Sequence, residues 1–460
     1  MDLFGTDGIR GNSSQYPFDD QTLVIIGRAI AEELRGKKNE ILIISDTRES
    51  AQRISRRLAE GIVSFGKNVV FGGVLPTPAA SFLVKKTGRF EAAIVISASH
   101  NPYTDNGIKI FASDGFKLKD SIEERIEKKI KYYEDLKDFK SYCAANGKPI
   151  VKIKLKQDLS LLKLYEDFIS STFDNHSLKG KTIALDCANG ASYKCAPAVL
   201  KKLGAKTISL NTNPNGKNIN ANCGALYPQK LSEIVKKRKV FCGLAFDGDA
   251  DRLIFIDEKG IVKDGDYFLS SMALFLKEKH LLKNNILTAT VMANLGLLSA
   301  MKEAGIKVIT SKVGDRYVLE DMLKFKSSLG GEQSGHFIFS DLLGTGDGLL
   351  SALQALKAML IKNQNPSEFF SKIIKYPQIL LNEEVKEKIP LEKLGKSAKL
   401  IKKYENILKS DGRILVRYSG TEKILRVMIE GKDENQIKEI AQELLVSIKG
   451  EIDDKVGSKH

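Results

Sequence analysis

Short apolar runs that stop abruptly in small or polar residues recur along this chain up to about residue 365, with amphipathic stretches between them. That beat predicts α/β domains, in which a buried strand alternates with a covering helix. Strand-like runs fall at 40–44, 92–96, 182–185, 243–246 and 285–290, and helical runs include 21–35 and 348–361. The stretch is long enough for three α/β units, although no close internal sequence repeat is visible.

The chain then changes character. Residues 366–410 are rich in lysine, 413–417 and 425–429 read as strands, and a helix follows. Its residues Ile437, Ile440, Ala441, Leu444, Leu445 and Ile448 share one face at helical spacing. This end reads as a small α+β domain, with 453–460 expected to fray. At 460 residues the chain is too long for one core. The expected division is 1–152, 153–252, 253–365 and 366–460: three similar mixed-sheet α/β domains plus a smaller C-terminal α+β domain.

Composition excludes several classes. No apolar run reaches membrane-spanning length, and the N-terminus lacks a basic segment followed by an apolar one, so cytoplasmic residence and no membrane partner are expected. The five cysteines, 143, 187, 195, 223 and 242, form no C-x-x-C pair, which argues against a disulfide framework or a zinc site. His176, His280 and His460 lie apart from any candidate ligand cluster. The net charge of +15 raises nucleic acid as a partner. The lysines, however, are spread through helical stretches without interleaved stacking aromatics, so no nucleic-acid partner is expected. Part of the surplus suits a multiply charged small anion.

Two apolar runs end in loops rich in chemistry. After 92–96 comes Ser97-Ala98-Ser99-His100-Asn101-Pro102, which presents a hydroxyl at a strand's C-terminal end, where open α/β sheets bind ligands. After 243–246 comes Asp247-Gly248-Asp249-Ala250-Asp251-Arg252. Three carboxylates at alternate positions, separated by small residues, can fold around one hard cation such as Mg²⁺ or Ca²⁺. An EF-hand is excluded because Arg252 takes the place of the glycine at position six and apolar strands flank the loop. Arg252 beside the metal suits a phosphate.

Three further segments are weaker alone. Gly330-Gly331-Glu332-Gln333-Ser334-Gly335-His336 offers a carboxylate and a hydroxyl at Glu332 and Ser334, suited to vicinal sugar hydroxyls. Arg417-Tyr418-Ser419-Gly420-Thr421-Glu422, with Arg426 nearby, forms a phosphate cradle without P-loop spacing. Phe4-Gly5-Thr6-Asp7-Gly8-Ile9-Arg10-Gly11 combines tight backbone geometry with an anion-reaching Arg10.

Together and in this order, the five segments resemble the α-D-phosphohexomutase superfamily over nearly the whole chain, and Gln333 aligns them with its phosphoglucosamine mutase branch. Lys423 departs from the proline usual after Glu422, and Ala250 stands where many members of that branch have glycine. The resemblance implies four domains around a central cleft, each supplying one loop. Ser99 would carry a phosphoryl group, and with Asp247, Asp249 and Asp251 would hold one Mg²⁺. Glu332 and Ser334 would meet the sugar, while Arg252, Arg417, Ser419, Gly420, Thr421 and Arg426 would meet substrate phosphate.

The implied reaction interconverts glucosamine 6-phosphate and glucosamine 1-phosphate through a 1,6-bisphosphate, feeding UDP-N-acetylglucosamine and cell-wall precursor synthesis. A phosphomannomutase/phosphoglucomutase with the same mechanism is the alternative. Arg10, Lys109 and His336 would surround the reacting hydroxyl, with the base left open, and His100 would orient Ser99. The resemblance also implies a homodimer and a first loading of Ser99 by a kinase or by autophosphorylation. The fourth domain is expected to move, with 363–366 as its hinge.

Overall fold

The protein is described as a computed structural model covering residues 3–5, 7–419 and 423–457. Thr6, Gly420, Thr421, Glu422 and His460 therefore lie outside the described residues. The chain forms two compact units: 1–292 with 304–372, and 293–303 with 373–460.

The first unit holds three sheets. One contains β1 (Phe4–Gly5), β2 (Gly8–Asn12), β3 (Glu40–Ser45), β4 (Asn68–Val74), β5 (Phe90–Ile96) and β6 (Asp105–Ala112), in the order β1-β2-β6-β5-β3-β4. The next contains β7 (Thr182–Asp186), β8 (Lys206–Leu210), β9 (Cys242–Phe246), β10 (Leu253–Ile256) and β11 (Val262–Lys263), in the order β11-β10-β9-β7-β8. The last contains β12 (Ile286–Thr290), β13 (Lys307–Ser311), β14 (Leu329–Gly331) and β15 (Phe337–Phe339), in the order β13-β12-β14-β15.

Parallel pairs form one side of each sheet and antiparallel pairs the other, so all three are mixed. Ile41–Ile44 and Ala92–Ile96 are fully buried, as strands covered on both faces must be, which is why they read as unbroken apolar runs.

A structural repeat joins the sheets where the sequence shows none. In each, a parallel strand is followed at once by an antiparallel neighbour: β5 by β6, β9 by β10, β14 by β15. The loop inside each pair carries Ser99, the aspartate triplet or the 332–336 segment, at a strand's C-terminal end.

The second unit has an antiparallel sheet of β16 (Gln378–Glu384), β17 (Gly412–Tyr418) and β18 (Ile424–Gly431), in the order β16-β18-β17. Here too consecutive strands, β17 and β18, pair antiparallel. Leu425, Val427 and Ile429 pack against Ile437, Ala441, Leu444 and Ile448 of the helix Glu434–Gly457.

That helix corrects the expectation of a frayed tail from 453. It continues to Gly457, because Ile452 is buried, Val456 packs on the same core and Asp453 pairs with Lys386 at 3.1 Å. The polar stretch 363–366 holds a pair of helix caps. Asn363 ends the helix Gly348–Lys362 in a left-handed conformation, and Asn365 opens Pro366–Phe369 with a capping box.

All five cysteines are free and buried, and burial pushes the thiols of Cys187 and Cys223 up to about 12. Among the described residues, no helix is long and apolar enough to cross a membrane.

Candidate active site

Ser99 is buried and has a φ of 52°, the left-handed region that non-glycine residues enter at a cost. This conformation turns its hydroxyl across to the aspartate triplet. Ser99 Oγ donates to Asp247 Oδ2 at 2.7 Å and lies 3.3 Å from His100 Nδ1. Burial, with Arg252 and Arg10 nearby, lowers His100 to about 4, so the imidazole is neutral near pH 7 and suited to orienting the hydroxyl.

Asp247, Asp249 and Asp251 are all buried, and each offers an oxygen within 4.8 Å of the others. Ala250, left-handed at a φ of 59°, supplies the bend that alternate spacing requires. Asp249 Oδ2 accepts from Thr77 Oγ1 at 2.6 Å and from Lys109 Nζ at 2.9 Å, which leaves Oδ1 buried without a hydrogen-bond partner. Asp251 Oδ1 is likewise buried without one. Burial and the two neighbouring carboxylates drive Asp247 well above the usual range. Orphaned, mutually repelling carboxylate oxygens fit a hard divalent cation.

Lys109, on β6, is the counter-charge already present. It reaches Asp249 at 2.9 Å, Asp7 at 3.1 Å and Asp251 at 3.9 Å. Burial alone would lower its pKa, but these three carboxylates raise it instead. Lys109 is thus held as a cation and is poorly suited to act as a base.

The charges continue into a closed ring. Asp7 also pairs with Arg10 and Lys117, Lys117 reaches Asp315 at 2.5 Å, and Asp315 lies 3.8 Å from His336 Nε2. His336 Nδ1 returns to Asp251 at 3.7 Å. Burial would depress His336, yet Asp251, Asp315 and Glu332 carry it up to about 8. Asp7 is held well below the carboxylate range by Lys109, Lys117 and Arg10, which outweigh its burial.

The 332–336 loop is joined to the metal loop through its backbone. Leu253 N donates to Gly335 O at 2.9 Å, and Arg252 and His336 form an isolated bridge. Glu332 is buried and accepts from Gly314 N at 3.0 Å, whereas Ser334 is exposed at the turn. Gln333 donates to the buried Asp266 at 2.8 Å. Arg252 is anchored by its backbone N–H on Asp247 Oδ1 at 3.3 Å, and its Nε is buried without a hydrogen-bond partner.

In the second unit, Arg417 and Arg426 are register partners on β17 and β18. Burial and Arg426 both lower Arg417, and Arg426 Nε is buried without a hydrogen-bond partner. Ser419 is buried, and its carbonyl accepts from Lys388 Nζ at 2.8 Å.

The sequence matches four successive domains of one family along its length. These are phosphoglucomutase/phosphomannomutase alpha/beta/alpha domain I over 1–137, domain II over 163–260, domain III over 264–376 and the C-terminal domain over 380–446. The chain belongs to the phosphoglucomutase/phosphomannomutase family.

Within that family, it is 43% identical over 457 residues to the phosphoglucosamine mutase of Chlamydia abortus, covering 98% of this chain and 97% of that protein. In fold it is similar to a phosphoglucomutase/phosphomannomutase family protein of Burkholderia thailandensis, with a TM-score of 0.78 at 23% identity, covering 98% and 97% of the two chains. It is also similar to the Aspergillus fumigatus N-acetylphosphoglucosamine mutase solved with GlcNAc-6P and magnesium, with a TM-score of 0.62 at 15% identity, covering 98% and 96%.

The first unit therefore gathers Arg10, Ser99, His100, Lys109, the aspartate triplet, Arg252, Glu332 and His336 into one connected set of contacts. Sequence reading missed Thr77, Lys117 and Asp315, which tie the set together. Lys117 and Asp315 are 198 positions apart, so no local pattern marks them.

Proposed function

We propose that the chain catalyses the phosphoglucosamine mutase reaction, interconverting glucosamine 6-phosphate and glucosamine 1-phosphate, with Ser99 as the phosphoryl carrier. The observation that carries this reading is the 2.7 Å contact from Ser99 Oγ to Asp247, inside a buried aspartate triplet with unsatisfied oxygens. Asp247, Asp249 and Asp251 would hold Mg²⁺, together with an oxygen on Ser99. The ion, when bound, neutralises charge on the transferring phosphoryl group and orients it.

In the forward direction, the bond between Ser99 Oγ and phosphorus breaks as phosphorus bonds the free sugar hydroxyl; the proton of that hydroxyl leaves to a base, and Ser99 Oγ takes up one proton to become a hydroxyl. The product is glucosamine 1,6-bisphosphate. After it turns over, its other phosphate returns to Ser99 Oγ, so the enzyme ends as it began and no water is consumed. Lys109, Arg10 and Arg252 offset the charge of the transferring group, and Glu332 and Ser334 address the sugar hydroxyls. In the second unit, Arg417 and Arg426 suit a phosphate: two guanidiniums in register across strands repel unless an anion lies between them.

The alternative, a phosphomannomutase/phosphoglucomutase reaction, keeps one observation in its favour. The Gln333 amide donates to Asp266 of the protein itself, so Gln333 also has a structural role within its loop. Turnover on glucosamine, glucose and mannose 6-phosphates decides between them. Glucosamine 6-phosphate is expected to be strongly preferred, and equal or faster turnover of the neutral sugars overturns the assignment. Intact-protein mass spectrometry is expected to show one phosphoryl group, absent from Ser99→Ala.

A further inference from the structure

The backbone of Ser99 is held more tightly than its side chain. Its N–H donates to Ser97 Oγ at 2.9 Å, and Ser97 Oγ in turn donates to Asp46 Oδ2 at 2.6 Å. Its carbonyl accepts from Arg48 Nη2 at 3.0 Å and from Asn220 Nδ2 at 2.8 Å. With the N–H and the carbonyl both fixed, the Cα–Cβ direction is fixed, and rotation about χ1 is the main freedom left to Oγ.

The two donors come from different parts of the fold. Arg48 follows β3, and its side chain is fully buried. Its Nε donates to Asp46, and its four remaining N–H groups serve the carbonyls of Ser99, Asn101, Pro102 and Asp105, which uses all five donors. Asn220 lies in the long connection between β8 and β9 and is left-handed at a φ of 58°. Its own N–H is tied to Ala188 O at 2.9 Å, and its amide also donates to Asn101 O at 3.1 Å. Two carbonyl acceptors fix which amide atom is nitrogen.

The metal loop closes the third side. A Cβ at Gly248 would lie 2.5 Å from Ser99 O and 2.8 Å from Asn220 Nδ2. The Ser99 peptide, the Asn220 amide and the backbone between Asp247 and Asp249 therefore pack with no room for a side chain.

The Ser99 hydroxyl donates to Asp247, but a phosphorylated Ser99 has no hydroxyl hydrogen to donate. In that state the backbone contacts to Arg48, Asn220 and Ser97 hold the residue in place. We propose that Asn220, acting with Arg48, is a positioning residue that keeps Ser99 aimed at the metal loop in both its free and its phosphorylated forms. This rests on Ser99 being the phosphoryl carrier.

The test uses full-length Asn220→Ala and Asn220→Asp. Aspartate has the shape of asparagine but turns acceptor oxygens toward two carbonyls, so it should be at least as damaging as alanine. Unphosphorylated protein is mixed with glucose 1,6-bisphosphate and Mg²⁺, and phosphoryl gain is followed by intact mass. Both variants are expected to slow transfer by about 10- to 100-fold. KM for glucosamine 6-phosphate, and Mg²⁺ affinity of the resting protein by calorimetry, are expected to stay at the parent values. Parent-like transfer rates in both variants overturn the proposal. So does a loss in which KM and Mg²⁺ affinity change together with the rate, since that marks general disruption. Ser99→Ala is run alongside: phosphoryl gain by that variant refutes the carrier assignment itself, whereas an inert Ser99→Ala beside normal Asn220 variants refutes only the positioning role.

Discussion

Arg417 and Arg426 face each other in register across β17 and β18, and Arg426 Nε is buried without a hydrogen-bond partner. Like charges opposite one another on neighbouring strands destabilise a sheet by about 0.2–1 kcal/mol. A pair kept at that cost is explained by an anion that binds both. Arg426→Gln is therefore expected to make the protein more stable to urea by up to about 1 kcal/mol. The same change should raise KM for the sugar phosphate by about 10- to 100-fold, as befits a lost charged hydrogen bond. Stability and steady-state kinetics on one preparation check both signs.

Thr77 holds Asp249 from the side away from its free oxygen, at 2.6 Å. Thr77→Val keeps the shape and removes the hydroxyl. Partners of ligating carboxylates set ligand orientation, so Mg²⁺ affinity is expected to fall by about 10-fold or more. Activity should return at high Mg²⁺. A Mg²⁺ titration identical to that of the parent protein would contradict this role for Thr77.

His336 gives a pH dependence with a definite sign. Its folded pKa of about 8 stands above the ordinary histidine value of 6.5, because Asp251, Asp315 and Glu332 outweigh burial. The stabilisation is thus complete below pH 6.5 and is lost as pH rises through 8. It amounts to about 2 kcal/mol. Urea unfolding in EDTA at pH 6 and pH 9 should show this loss in the parent and not in His336→Gln. Saturating Mg²⁺ should shrink it, since the ion competes for Asp251.

Lys117 joins Asp7 to Asp315, with only 15% of its side chain exposed. Lys117→Met strands Asp315 beside an apolar side chain and is expected to cost about 3 kcal/mol. Adding Asp315→Leu should recover most of that loss, because the remaining Asp7 keeps Lys109 and Arg10. Denaturation midpoints of the two single variants and the double variant check the coupling.

Strands buried on both faces, such as Ile41–Ile44 and Ala92–Ile96, were legible because burial leaves an unbroken apolar run. β16 was missed because its residues Gln378–Glu384 are exposed or half-buried throughout and include three polar side chains at its end, Asn382, Glu383 and Glu384. The aspartate triplet was legible because its three carboxylates lie within five residues of one another in the chain. Thr77 was not, since its partner Asp249 lies 172 positions away. Gln333 was legible as a signature, but its bond to Asp266 could be seen only in three dimensions. The repeated pairing of a parallel strand with an antiparallel successor left no trace in the residues, because it fixes backbone direction and not side-chain identity.

The burial of all five thiols has a practical side. Maleimides and similar reagents need an accessible thiolate, and burial withholds both access and ionisation. A single cysteine placed at exposed Lys423 would then be the fastest-reacting thiol on the molecule. The natural chain can thus carry one fluorophore or spin label at the start of β18 without first being stripped of its own cysteines.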